Sequence, residues 1–585
     1  MIILATSFSD LIIRFFSNFF GTPALLIGVF ALAGSIIQRK KFSEIMLSTF
    51  KTIIGFLIIA SGAGIISGSI GKFGAAFELL FNRRGFIANN DVIPGLFMKI
   101  EHLQWLASAG SLILIFGMIL NLLIARFSNL KYVYLTGHSA WYFSTMMASV
   151  LALAGIPKSQ MWLVVLIGSL LTSMWMVISP ALLNPYVKEI TKNDQLALAH
   201  TGSLSYLAAG GIGSGIKKLH HHWQREVKST ETINFPKGLN FLRNTNVAIA
   251  LTMLVLFLFV YFLTWGVRGE KAMIDAGIIN DRDSIIVQGI LQAFTFAAGV
   301  EVLLIGVRMF IAEITPAFKG ISDKFIFEAK PAMDCPIVFP FAPNAVIMGF
   351  LASVVGGLVM FSINIGVSSA IGQKPDQILG WAVIVIPSII PHFFTGAASG
   401  VFGNCRGGIW GCLIGGFVNG LLIQISPWIF LGLKMIPEDM ATNNQVIWGD
   451  IDYLVGIIPW FITKYLGGKW VLLGLSFATW FAIPVVSQFA HQQKMKKNIA
   501  YRELFLAKQA TRKEFQLLIE TNNKTYKEAI KQLKNSQSEK KIFQEEKEKL
   551  TKSWTNENRK LVRDQDKQLI EVRQRNIKQK NKEQV

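Results

Sequence analysis

The sequence predicts an all-α polytopic membrane protein: about eleven transmembrane helices, each needing roughly 20 apolar residues, re-entrant hairpins, two inverted repeats and a helical cytoplasmic tail. Three observations predict it. Of the 585 residues, 52% are hydrophobic and only 16% charged, and the mean hydropathy is +0.45; soluble domains carry about a quarter charged residues. Long apolar runs recur up to Phe489. One stretch, AKPAMDCPIVFPFAPNAVIMGF (329–350), sets Asp334, Cys335, Asn344 and four prolines among apolar residues. Proline removes a backbone donor and clashes with the preceding turn. Broken backbone at membrane depth survives only where protein buries it or where it lines a watery cavity. The stretch is therefore read as a re-entrant element beside a solute site, with a short cytoplasmic loop as the alternative.

The spans are read near 12–37, 46–70, 104–125, 132–155, 160–183, 245–266, 286–310, 344–370, 378–396, 408–433 and 467–489. Two glycine-rich stretches, 195–215 and 396–407, are too short for full crossings and are read as re-entrant hairpins. Met1 to Ser35 has no basic leader and is expected to be retained. Basic loops follow the first, third and seventh spans (Arg39, Lys40, Lys41; Arg126, Lys131; Lys319, Lys324, Lys330) and the last (Lys494, Lys496, Lys497), with a longer basic segment from Lys217 to Arg243. Alternate loops are acidic or mixed, Asp275 to Asp283 and Glu438 to Asp452. Placing basic loops inside predicts an extracellular N-terminus and a cytoplasmic C-terminus. The net charge of +21 is spread over such loops and the tail, which argues against a nucleic-acid face.

The permease domain is expected to occupy 1–491. Its first repeat covers about 12–215, its second about 245–433, and a final span follows at 467–489. TIIGFLIIASGAGIISGSIGKF (52–73) is weakly similar to IGVRMFIAEITPAFKGISDKF (305–325), and ALAHTGSLSYLAAGGIGSG (197–215) to FFTGAASGVFGNCRGGIWG (393–411). An odd number of crossings per repeat inverts the halves, which is a transporter signature. The tail, 492–585, is rich in Lys, Glu, Gln and Asn. Ile519, Tyr526, Ile530 and Leu533, and then Phe543, Leu550, Trp554 and Leu561, fall at helical spacing. A coiled coil or a solvated, partly helical tail both fit.

His138 in LTGH, His200 in ALAHTGS and Asp334 are the candidate solute contacts. A neutral imidazole both donates and accepts, and a carboxylate accepts from two hydroxyls. The bland readings are packing histidines and an ion pair of Asp334 with Lys330 or Arg308. Glu301, Arg308 and Glu313 are read as an internal structural set. Asn89, Asn90 and Asp91 are read as an extracellular turn, with a lid over the site as the other option. Cys335, Cys405 and Cys412 form no disulfide framework and no zinc spacing. There is no P-loop, no metal site is expected, and no cofactor is implied.

These patches resemble the ascorbate-type (SgaT/Ula) membrane component, enzyme IIC, of the sugar phosphotransferase system. The resemblance runs in patches from Thr52 to about Phe489 and rests on GVRMFIAEITPAFKGISDKF, MDCPIVFPFAPNAVIMGF, FFTGAASGVFGNCRGG, LTGH, GFLIIASGAGII and ALAHTGSLSY. It implies an eleven-span subunit with core and V-motif domains, a homodimer in the cell membrane, and import coupled to phosphorylation by separate IIA and IIB chains. The chain itself would carry no phosphorylated residue. Family contacts carry over to His138, His200 and Asp334. Tyr142 and Thr201 stand where glutamines are expected, Ala60 and Ala63 where a glutamine and a serine are expected, and Asn90 is added as a contact. The rivals are a proton-coupled transporter of a small polar solute, and a membrane scaffold acting through the tail.

Overall fold

The computed structural model describes residues 23–37, 40–82, 85–192, 194, 196–224, 226–233, 245–326, 329–372, 379–443, 445–497, 499–535, 545–554, 556–558, 560–561, 564–565 and 568. The sequence readings at 12–22, Arg39, Arg243 and Phe543 lie outside the described residues. The chain forms two compact units, Met1–Pro484 and Val485–Val585.

In the first unit the elements run α1 (Pro23–Ile37), α2 (Phe42–Phe81), β1 (Gly85–Ala88), α3 (Val92–Lys99), α4 (Gln104–Phe127), β2 (Tyr132–Tyr134), α5 (Gly137–Leu153), α6 (Met161–Thr191), β3 (Ala197–Leu198) and α7 (Ser203–His222). They continue with α8 (Thr245–Arg268), α9 (Glu270–Asp275), α10 (Ile285–Phe325), β4 (Lys330–Met333), α11 (Pro343–Ile371), β5 (Ile384–Ile386), α12 (Ile389–Gly432), α13 (Glu438–Asn443), β6 (Val446–Ile447) and α14 (Ile457–Tyr465), and α15 (Gly468–Lys497) begins in the first unit and ends in the second. Among the described residues, eight helices are long and apolar enough to cross a membrane. Two of the predicted spans are differently built. The 132–155 run is a strand followed by the almost wholly buried 17-residue α5, and 378–396 divides into β5 and the start of α12. The glycine-rich 396–407 run, expected as a re-entrant hairpin, ends the first arm of α12, which folds back at Gly408 so that the Gly403 and Gly411 backbones touch.

The strands form two small parallel sheets, β5-β1-β6 and β2-β4-β3. Each has a strand from one half of the chain held between two from the other. Buried asparagines finish the ladders. From α4, Asn121 donates to the Tyr132 carbonyl and accepts from the Tyr134 amide, both at 3.1 Å. From α11, Asn364 donates to the Val383 carbonyl (3.1 Å) and accepts from the Val385 amide (2.6 Å). One side-chain amide satisfies a donor and an acceptor that would otherwise be buried without partners.

Glycine contact lets helices approach closely: a Cβ on Gly213 of α7 would lie 2.5 Å from the Gly403 carbonyl oxygen of α12. Gly408 breaks α12 with φ 57° and ψ −145°. Its neighbour Ile409 donates to the Lys228 carbonyl (2.9 Å), and a Cβ on Gly408 would strike that same oxygen. Gly408→Ala is expected to cost about 1–3 kcal/mol, read as a lower melting temperature in detergent. Gly211→Ala, which meets open space, is the neutral control. Equal melting of the two variants would show that the break is not strained.

In the second unit, α16 (Ile499–Asn535) and helical residues from 545 onward pack antiparallel. Tyr526 stacks on Trp554 at 4.8 Å, Trp554 Nε1 donates to Asn523 (2.8 Å) and Asn522 donates to Asn558 (2.7 Å). Of the helically spaced tail residues, Tyr526 and Trp554 thus meet across an antiparallel helix pair.

Candidate functional site

All six strands end at one cavity of about 420 Å³. Beyond β1 lie Asn90 and Asp91; beyond β2, His138 and Ser139; beyond β3, His200 and Thr201. Beyond β4 lies Asp334; beyond β5, Ile390 and Pro391; beyond β6, Asp450. In parallel sheets, ligands gather outside the carboxyl ends of strands, and two miniature sheets apply that rule here from both sides. Helices α3, α5, α7 and α12 start close behind four of these strand ends, so their free amide groups and partial positive charge sit near the same space. Val300, Leu304, Val307 and Arg308 of α10 form another wall.

His138, His200 and Asp334 come together there, their ligand atoms within 4.8 Å of one another. Asp334 Oδ1 accepts from the Cys335 amide (2.7 Å), which fixes the carboxylate. His138 Nε2 stands 3.4 Å from Oδ2, and His200 Nε2 stands 4.0 Å from Oδ1. Both distances exceed a normal hydrogen bond, so lone pairs of Asp334 are left for a solute hydroxyl. The Gly202 amide donates to His200 Nδ1 (3.0 Å). That makes Nδ1 an acceptor, so the neutral ring carries its proton on Nε2, the side facing Asp334. Two imidazoles and one carboxylate at this spacing are also a possible ligand set for a divalent metal.

The other predicted contacts are placed as follows. Tyr142 lies on the wall, its ring 5.9 Å from that of His138. The Thr201 hydroxyl bonds Asp450 Oδ2, and its amide donates to Ser139 Oγ (3.0 Å). The Asn90 side chain accepts from the Gly449 amide (2.7 Å), tying the turn after β1 to the turn after β6. Asn89, Asn90 and Asp91 are buried, so this is an interior turn rather than a surface loop. Ala63 is fully buried in α2 against Gly95 of α3 and is not on the cavity wall.

The bland ion-pair readings resolve elsewhere. Lys330 pairs with Asp194 at 2.5 Å, and Lys188 lies 2.7 Å from the same carboxylate. Burial opposes the charge on Asp194, but the two ammonium groups outweigh it and hold the carboxyl below its usual range. Arg308 faces Glu301 at 3.6 Å.

Asp450 and Asp452 are the residues the sequence reading missed. Placed there in an acidic outer loop, they are 2% and 0% exposed. Asp450 Oδ1 is buried without a partner. Asp452 accepts from the Ser203 and Leu204 amides (3.0 and 2.8 Å), capping α7. The available signal was the apolar run VIW directly before the acids in VIWGDID. Behind the wall residue Thr395, a buried relay stiffens the α11–α12 contact. Asn419 donates to Thr395 (3.0 Å) and Ser353 (2.9 Å), and Ser353 bonds His392 (2.8 Å).

A family model described as the PTS system sugar-specific permease component, EIIC-GAT, matches residues 18–452, a range that includes every strand and every cavity-wall residue. The chain belongs to this family. As a member of the EIIC-GAT permease components with eight long apolar helices among its described residues, it is a multi-pass membrane protein. An ascorbate-specific PTS system EIIC component of Mycoplasma pneumoniae (strain ATCC 29342 / M129 / Subtype 1) is 26% identical over 434 residues, 67% of this chain and 62% of that relative. The chain thus spans less than two thirds of the relative's length.

Proposed function

We propose that this protein binds and translocates L-ascorbate or a related sugar acid, with phosphorylation supplied by separate IIA and IIB chains. The observation that carries the reading is the convergence of His138, His200 and Asp334 at the strand ends around one cavity, in a chain related to an ascorbate-specific component. His200 Nε2–H would donate to a solute oxygen, and Asp334 would accept from hydroxyls. Tyr142, Thr201 and Asn90 would shape the wall, and Ala63 would act only through the packing of α2 on α3. The exchanged strand orders and the paired asparagines, Asn121 and Asn364, support the inverted-repeat reading with a site between the halves. A homodimer, an extracellular N-terminus and a cytoplasmic C-terminus belong to the same proposal.

Vesicles containing the protein are expected to accumulate phosphorylated L-ascorbate only when phosphoenolpyruvate, the general carriers, IIA and IIB are all supplied inside. Accumulation of unmodified solute driven by a pH gradient alone would replace this reading with proton coupling.

A further inference from the structure

We propose that Arg308 is the charge-selecting residue of the cavity, favouring a negatively charged solute over a neutral relative. The inference rests on the sugar-acid reading above and deepens it. Arg308 projects from α10, beside Val300, Leu304 and Val307 on the cavity wall. An arginine on a membrane-spanning helix calls for a partner or a polar cavity, and Arg308 lies next to the end of the apolar span Ile285–Met309. A structural ion pair could account for it, but the geometry is poor. The separation from Glu301 Oε1 is 3.6 Å, beyond hydrogen-bond length, and the arginine side chain stays 67% exposed. The other Glu301 oxygen, Oε2, is buried without a partner. A well-formed pair would engage both carboxylate oxygens with the planar fork.

The surroundings supply the need. The other charged wall residues, histidines aside, are Asp91, Asp334 and Asp450, all carboxylic acids. An anion entering this space meets carboxylates on the strand ends, and among the described wall residues Arg308 is the Lys or Arg set against them. Its charge is permanent and its fork matches paired oxygens on a planar anion. The helix starts behind the strand ends add favourable partial charge without discriminating one planar anion from another. The histidines and Asp334 would therefore read hydroxyls, and Arg308 would read charge.

The test is a binding titration of the full chain in detergent, at neutral pH, with L-ascorbate, a monoanion, and L-gulono-1,4-lactone, a neutral relative without the enediol. Arg308→Gln is expected to weaken L-ascorbate about tenfold, which is about 1.4 kcal/mol, and to leave the lactone within about twofold. Arg308→Lys should fall between. An equal loss for both ligands, or no loss for either, would overturn the inference. So would recovery of ascorbate affinity in the Arg308→Gln, Glu301→Gln double variant, which would mean that Arg308 only neutralises Glu301. A wild-type chain that binds neither ligand would refute the sugar-acid reading itself and remove the basis of this inference.

Discussion

Asp334→Asn is expected to weaken binding of the transported solute about a hundredfold with no loss of folded protein. The carboxylate is fixed by the Cys335 amide at 2.7 Å and presents its remaining lone pairs between His138 and His200. Asparagine keeps the volume and can keep the bond from Cys335 through its carbonyl oxygen. It replaces the other oxygen with a donor facing His138. A hydrogen bond to a charged group is worth about 1.5–3 kcal/mol, so losing one such hydroxyl contact near the top of that range gives roughly the hundredfold loss. Equilibrium binding with a thermal melt on the same sample checks it. Unchanged affinity would make Asp334 a structural residue, and a collapsed melt would mean that the Cys335 contact, not solute recognition, is its main task.

The largest effect on stability is expected from Asp452→Ala. The carboxylate is fully buried and accepts from the Ser203 and Leu204 amides, while its own amide donates to the Thr201 carbonyl at 3.1 Å. Alanine leaves two buried amide donors unmet, each costing about 1–3 kcal/mol, and removes the cap of α7. The expected loss is about 3–5 kcal/mol, as for breaking other buried charge contacts. It should be read as a clearly lowered melting temperature and a smaller monodisperse peak on size exclusion. Because Thr201 and His200 lie just before α7, any residual folded protein should also bind solute more weakly. Asp452→Asn, which keeps one acceptor, should be milder. A variant melting with the wild type would show that the start of α7 is held by other contacts.

The three residues at the centre of the candidate site were legible because they break a strong pattern: ionisable groups in apolar runs stand out, and proline around Asp334 marks interrupted backbone. The strands that position them were not legible. They are two to four residues long, too short for a period-2 pattern, and their partners are remote in the chain. Gly85 pairs with Ile384, and Tyr132 with Lys330. Short apolar runs such as YVY and IVI were therefore absorbed into neighbouring spans, which changed the reading of 132–155 and 378–396.

Asp450 and Asp452 were hidden by the opposite error. Charge counting by loop treats each acid as exposed, yet both are interior. Their partners are a hydroxyl and backbone amides supplied by residues about 250 positions earlier, and such contacts leave no local signature. Ala63 illustrates the limit of carrying positions over by resemblance. Its neighbour Gly95 lies on an eight-residue helix that hydropathy alone cannot separate from a loop.

The exchanged strands also constrain how the protein is made. During synthesis, β1 emerges early, but both its neighbours, β5 and β6, belong to the last third of the permease unit. Roughly 300 residues separate Ala88 from Ile384, and at about 5–20 residues per second β1 waits roughly 15–60 s with both edges open. The first half of the chain cannot close its sheets alone, since β2 and β3 also lack their central strand until β4 arrives. A nascent chain stalled before Lys330 would thus hold three unpaired strands in or near the bilayer, a natural substrate for membrane quality control.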